Sequence, residues 1–193
     1  MKKNRLLIIV LLILSFTMLF LFPLTIIASE QDLIKESLTY LEKQDYRSAE
    51  NLLEEALSLI WKKSPLELNN LIFCDEEPEG FGLYQKRADH NFVEGETFYL
   101  YAEPKYYSIV EIGENLFEIH FKVDLYILDM DNNILWGQRD YAENHFILHS
   151  PNKEMFNYFT ITQETPFPKG EYQFLLVLKD VARQKTVEQA ISF

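Results

Sequence analysis

Leu116-Phe117-Glu118-Ile119-His120-Phe121-Lys122-Val123-Asp124-Leu125-Tyr126-Ile127-Leu128 is the stretch that decides the fold. Phe117, Ile119, Phe121, Val123, Leu125 and Ile127 alternate with Glu118, His120, Lys122, Asp124 and Tyr126. Successive side chains of a strand point to opposite faces, so one face goes to a core and the other to water. Asp131-Asn132-Asn133 follows and supplies turn residues for a hairpin into Ile134-Leu135-Trp136-Gly137.

Outward from this strand, the same period marks Thr97–Glu103, Ile134–Tyr141, His145–His149, Met155–Thr162, Tyr172–Lys179 and Thr186–Phe193. Pro166, Pro168 and Gly170 break the chain before the penultimate strand. No helices separate these strands, which argues against a parallel sheet. The expectation is a mainly β fold, an antiparallel sandwich of immunoglobulin or fibronectin type over residues 97–193.

Residues 29–62 read differently. Leu33, Ile34, Leu38 and Leu41, then Leu52, Leu53, Ala56, Leu57 and Ile60, recur at helical spacing. Gln44-Asp45-Tyr46 separates the two runs as a tight turn. The order Leu33, Tyr40, Tyr46, Ala49, Leu53, Ala56 resembles one tetratricopeptide repeat, a helical hairpin of about 34 residues. Glu36 and Ser37 depart from the usual Leu-Gly, and no second repeat follows. A single repeat cannot bury its own apolar face, so the hairpin either packs on the strand domain or docks a partner. Residues 63–96 read as a connector that opens on Ser64-Pro65, where proline stops the second helix. Its Asp75-Glu76-Glu77-Pro78-Glu79-Gly80 run reads as a solvated acidic loop.

At the N-terminus, Lys2, Lys3 and Arg5 precede an apolar run. Leu6 to Ala28 is 23 residues without charge, long enough for a helix across a bilayer core of about 30 Å. Residues 1–28 are therefore an export signal or a retained membrane anchor. Both place the remainder outside the cytoplasmic membrane, because basic flanks stay inside. The localisation expected is extracytoplasmic, periplasmic or anchored to the cytoplasmic membrane. Cys74 is the only cysteine, so there is no intramolecular disulfide. Taking Lys2, Lys3 and Arg5 from 18 basic residues leaves 15 against 30 acidic ones, a net of −15. That charge repels phosphate backbones and excludes nucleic acid as a partner.

The stretches Asn91–Glu96, Tyr101-Ala102-Glu103-Pro104, Ile134-Leu135-Trp136-Gly137-Gln138 and Phe167-Pro168-Lys169-Gly170-Glu171-Tyr172 look like landmarks of exported bacterial proteins of unknown function. Trp61, Ser64-Pro65-Leu66 and Gly80–Tyr84 with Arg87 fit the same pattern. The resemblance covers most of the chain after the leader. It implies a C-terminal β-sandwich after a tetratricopeptide-like hairpin, and no activity.

The candidate chemistry is sparse. His145 and His149 are four apart and share a face; a third ligand would make them a metal site, and otherwise they are surface strand residues. His90 and His120 bear no visible relation to them. Asp129, Asp131 and Asn133, with Asp140 twelfth, echo a calcium loop, but Ile134 replaces its glycine and a hairpin turn explains them better. Cys74 stands beside three acidic residues, which disfavour its thiolate. No Gly-x-Ser-x-Gly elbow or Gly-rich phosphate loop occurs. No catalytic, cofactor-binding or metal residue is assigned. Tyr106 and Tyr107, with Glu103 beside them, are the candidate contacts for a protein or glycan, joining flat rings to a carboxylate. Tyr99 and Tyr101 read as half-buried strand residues with hydroxyls at the rim. The functional expectation is a non-enzymatic interaction or scaffold module of the bacterial cell envelope. Its partner would be an envelope protein or glycan, with the membrane added through an uncleaved leader. The alternative is a carbohydrate-binding module for envelope glycan.

Overall fold

The computed structural model describes residues 28–162 and 167–193. The leader (apart from Ala28) and Pro166 lie outside the described residues. Among the described residues, no helix is long and apolar enough to cross a membrane. The chain divides into two units, one ending at Leu59 and one running Ile60–Phe193.

Two helices, α1 (Glu30–Glu42) and α2 (Tyr46–Lys63), open the described chain. Ser29 caps α1 in a reciprocal capping box with Asp32. Asp45 starts α2: its carboxylate accepts the Ser48 amide at 3.2 Å and hydroxyl at 2.8 Å. Between them Gln44 takes φ 58°, while Asp45 N donates to Tyr40 O at 2.9 Å. Leu33 and Ser37 are the buried positions of α1, Ala49 and Ala56 those of α2. Leu38 and Leu57 are exposed.

Among the described residues, eight strands form two antiparallel sheets. The first is ordered β1 (Glu67–Cys74), β2 (Thr97–Lys105), β6 (Asn157–Thr162). The second runs β5 (Ile134–Leu148), β4 (Leu116–Asp129), β7 (Tyr172–Asp180), β8 (Lys185–Ser192). Short β3 (Val110–Gly113) pairs the opening residues of β4. One core fills the space between the sheets. Leu68, Leu71, Phe73, Phe98, Leu100, Phe159 and Ile161 supply one side. Ile119, Phe121, Val123, Leu125, Ile127, Phe174, Leu176 and Leu178 supply the other. The apolar positions of β4 from Ile119 to Ile127 are all buried, as their alternation requires.

β1 corrects the reading of 63–96 as a connector. Leu68 and Leu71 are three apart, which breaks a period of two. Asn70 at φ 51° makes a bulge, and the register with β2 shifts between Asn69 and Ile72. The bulge rephases the strand, so Leu68, Leu71 and Phe73 all reach the core. The separate segments expected at Ile134–Tyr141 and His145–His149 are likewise one strand, β5. Leu125 pairs Gln138 and Val123 pairs Ala142, so Asp124 alone faces Arg139, Asp140 and Tyr141. Asp140 sits at φ 49°, and its amide donates to Asp124 Oδ1 at 2.8 Å in place of a ladder bond. Just before β7, the Tyr172 hydroxyl donates back to Pro168 O at 2.5 Å.

Gly137 lies under a ring. A Cβ there would meet Tyr126 Cδ1 at 2.3 Å and Cε1 at 2.9 Å. Gly137→Val should therefore cost about 1–3 kcal/mol by overpacking, and most of that should vanish in a Tyr126→Ala background. Urea unfolding of the four proteins measures the coupling; additive costs would refute the close approach.

Candidate functional site

The three predicted contact residues do not form one exposed surface. Tyr107 is 0% exposed. Its ring meets Phe121 edge-on at 5.1 Å, and its hydroxyl donates to Asn152 O at 2.9 Å. Burial pushes that phenol well above its ordinary pKa. The expectation of an open Tyr107 face is thus corrected: the ring is a core anchor. Glu103 is buried too, its two oxygens accepting Tyr101 Oη and Asn70 Nδ2 at 2.7 Å each. Tyr101 has no hydroxyl at the rim. It is fully buried beneath Tyr84 and Phe156, and its oxygen accepts the Gly82 amide at 2.9 Å. Tyr99 is half-buried, as expected. The segment after β1 covers this outer face of β2, a long-range contact with no local signature.

Tyr106 is the exception. It holds φ 59°, and its ring meets Trp61 at 5.2 Å and 66°. The loop carrying it is fixed from three sides. Ser108 donates its amide and hydroxyl to buried Asp180 Oδ2, both at 2.7 Å. Trp61 Nε1 donates to Tyr107 O at 2.8 Å, and Arg183 Nη1 to Tyr106 O at 3.4 Å. Lys105 Nζ lies 4.8 Å over the Tyr106 ring, and Lys153 Nζ 5.7 Å over Trp61.

The histidines are arranged differently from the expectation. His145 pairs across the ladder with His120, the rings stacked at 4.5 Å, and His149 lies beyond the end of β5. His120 Nε2 meets Glu143 Oε1 and His145 Nε2 meets Glu118 Oε1, both at 2.7 Å. The signal was present as Glu-x-His on each strand, Glu118–His120 and Glu143–His145, but only the register joins them. Among the described residues, no group of three His, Cys, Asp or Glu is placed to hold a metal. At the turn, Asp129 accepts the Asp131 and Asn133 amides and Asn133 Nδ2 at 2.8–2.9 Å. The Asn133 bonds, foremost, hold its carboxyl below the usual range. Cys74 is buried, and burial, then the charge of Asp75, pushes its thiol up to about 11.

Two further surfaces stand out. Ile134 (64% exposed), Leu135, Trp136 and Met130 present large apolar side chains at the β4–β5 tip, where Ile134 to Asp140 are all exposed. Elsewhere a cavity of about 370 Å³ opens beside His90, Phe92, Phe167, Lys169 and Tyr172. No family model matches the chain, and no curated protein matches it.

Proposed function

We propose that this chain is a non-enzymatic interaction module of the bacterial cell envelope, held outside the cytoplasmic membrane by its leader. The observation that carries the reading is the apolar tip of the β4–β5 hairpin. Clustered exposed apolar side chains rimmed by polar ones mark contact surfaces. The tip stands on an edge strand, since β5 pairs β4 alone among the described strands.

The finer fold proposed is an immunoglobulin or fibronectin-type sandwich. With β3 set aside, the strands in chain order take the places A, B, C, C′, E, F and G, giving sheets A-B-E and G-F-C-C′. The Tyr172 bond to Pro168 O supports it, matching the tyrosine corner at the start of strand F.

A photo-crosslinking phenylalanine analogue at Leu135 tests the interaction reading in intact cells. A discrete protein adduct is expected there, and not from the same analogue at exposed Gln189. Ile134→Lys should remove it. Equal labelling from both positions would refute a contact at the tip. The second reading, recognition of envelope glycan, loses Tyr107 and Glu103 to burial and rests on Tyr106 with Trp61.

A further inference from the structure

Some cations of this acidic chain, with 18 basic against 30 acidic residues, are held by carboxylates. Arg87 pairs with Glu96, Lys122 with Glu143, and Lys179 with Asp124 and Asp140. Lys105, Lys153 and Arg183 are held otherwise. Glu67 stands opposite Lys105 in register and Glu154 follows Lys153, yet neither closes an ion pair with them among the described residues. All three cations instead address the Trp61–Tyr106 ring pair and its backbone. The arrangement is preorganised, because Trp61 Nε1, Ser108 and buried Asp180 fix the rings' backbone from beneath. Preorganisation lowers the ordering cost of binding.

We propose that Trp61, Tyr106, Lys105, Lys153 and Arg183 form a binding site for an acidic oligosaccharide. A sugar's apolar face suits an aromatic ring, and its carboxylates or phosphates suit ammonium and guanidinium groups. Free phosphate would use the cations and leave the rings idle. A dense polyanion would be repelled by the surrounding net charge of −12. The ligand that uses both parts carries rings and widely spaced charges. This goes beyond the protein contact at the β4–β5 tip and stands whatever the outcome there.

The test titrates the full chain, as purified from the producing cells, with three compounds at low ionic strength by calorimetry. A hyaluronan tetrasaccharide carries rings and sparse carboxylates, chitotetraose carries rings alone, and tripolyphosphate carries charge alone. Binding of the first is expected, with the other two weaker by about tenfold or more, the worth of one charge-assisted contact. Lys105→Gln and Lys153→Gln should each weaken it about tenfold. Tyr106→Asn, which tolerates the positive φ, should abolish it. Lys169→Gln, the same charge change beside the cavity at His90 and Tyr172, should leave it unaltered. Equal binding of tripolyphosphate reduces the site to ion exchange, and equal binding of chitotetraose removes the acidic requirement. Either result overturns the proposal, as does a Lys169→Gln effect equal to Lys105→Gln, or no binding at all. A matched thermal melt of each variant separates lost binding from lost fold.

Discussion

Tyr107→Ala is expected to cost about 3–5 kcal/mol, the range for emptying a fully buried aromatic site. In a domain of this size that lowers the melting temperature by about 6–20 °C. The ring packs edge-on against Phe121 and Trp61, 5.1 and 5.2 Å away, so its removal opens a cavity next to β4. Tyr107→Phe keeps the packing and loses only the bond to Asn152 O, for about 1 kcal/mol. Thermal and urea unfolding of both variants measure the contrast. A Tyr107→Ala protein as stable as the parent would mean that the ring is not in the core. The contrast also governs how binding data are read, since loss of a ligand in Tyr107→Ala would report unfolding.

Asp124→Ala should cost about 2–3 kcal/mol, most of it from the Asp140 amide left without an acceptor. The carboxylate is 4% exposed and accepts Lys179 Nζ at 2.6 Å and the Asp140 amide at 2.8 Å. Lys179 is one-third exposed, so solvent screens the charge pair and the larger values for sealed ion pairs do not apply. Burial alone would raise the Asp124 pKa. The Lys179 bond, the Asp140 amide, the Lys179 charge and the Tyr126 hydroxyl outweigh it, and the carboxyl sits below its ordinary range. A depressed folded-state pKa gives stability that is fully present above the unfolded value of about 3.9 and lost as pH falls through the folded value. Asp124→Asn keeps an acceptor and removes the charge. Its deficit against the parent should be constant near neutrality and shrink below about pH 4. A deficit independent of pH down to 2 would show that Asp124 acts through shape alone. If Asp140 lost its left-handed turn without effect on β5, amide exchange at Arg139–Tyr141 would reveal it.

Much of the second sheet was legible because its signals are local. Phe117–Ile127 alternates within one strand, and Asp131-Asn132-Asn133 makes its turn inside five residues, with Asn132 at φ 64° as such a residue permits. β1 was hidden because Asn70 shifts its period, and the halves of β5 looked separate because the bulge at Asp140 does the same. The contact residues are not legible in the sequence for another reason. Tyr106 and Tyr107 are neighbours of one chemistry, yet one is a half-buried ring beside Trp61 and the other a core anchor. Nothing in their spacing separates them; the partners that decide, Phe121 and Asn152, are far along the chain.

The sequence by itself determined the strand-rich class, the antiparallel connections, the β4 core face and the helical start. Each follows from side-chain period and turn chemistry, which act over a few residues. Only the tertiary structure decided that Tyr101, Glu103, Tyr107 and Asp124 are buried, that His120 stacks on His145, and that Lys105, Lys153 and Arg183 gather at one ring pair. These depend on register, on bulges that rephase a strand, and on which distant loop covers a face. All are fixed by packing between segments far apart in the chain, and composition and periodicity do not encode them.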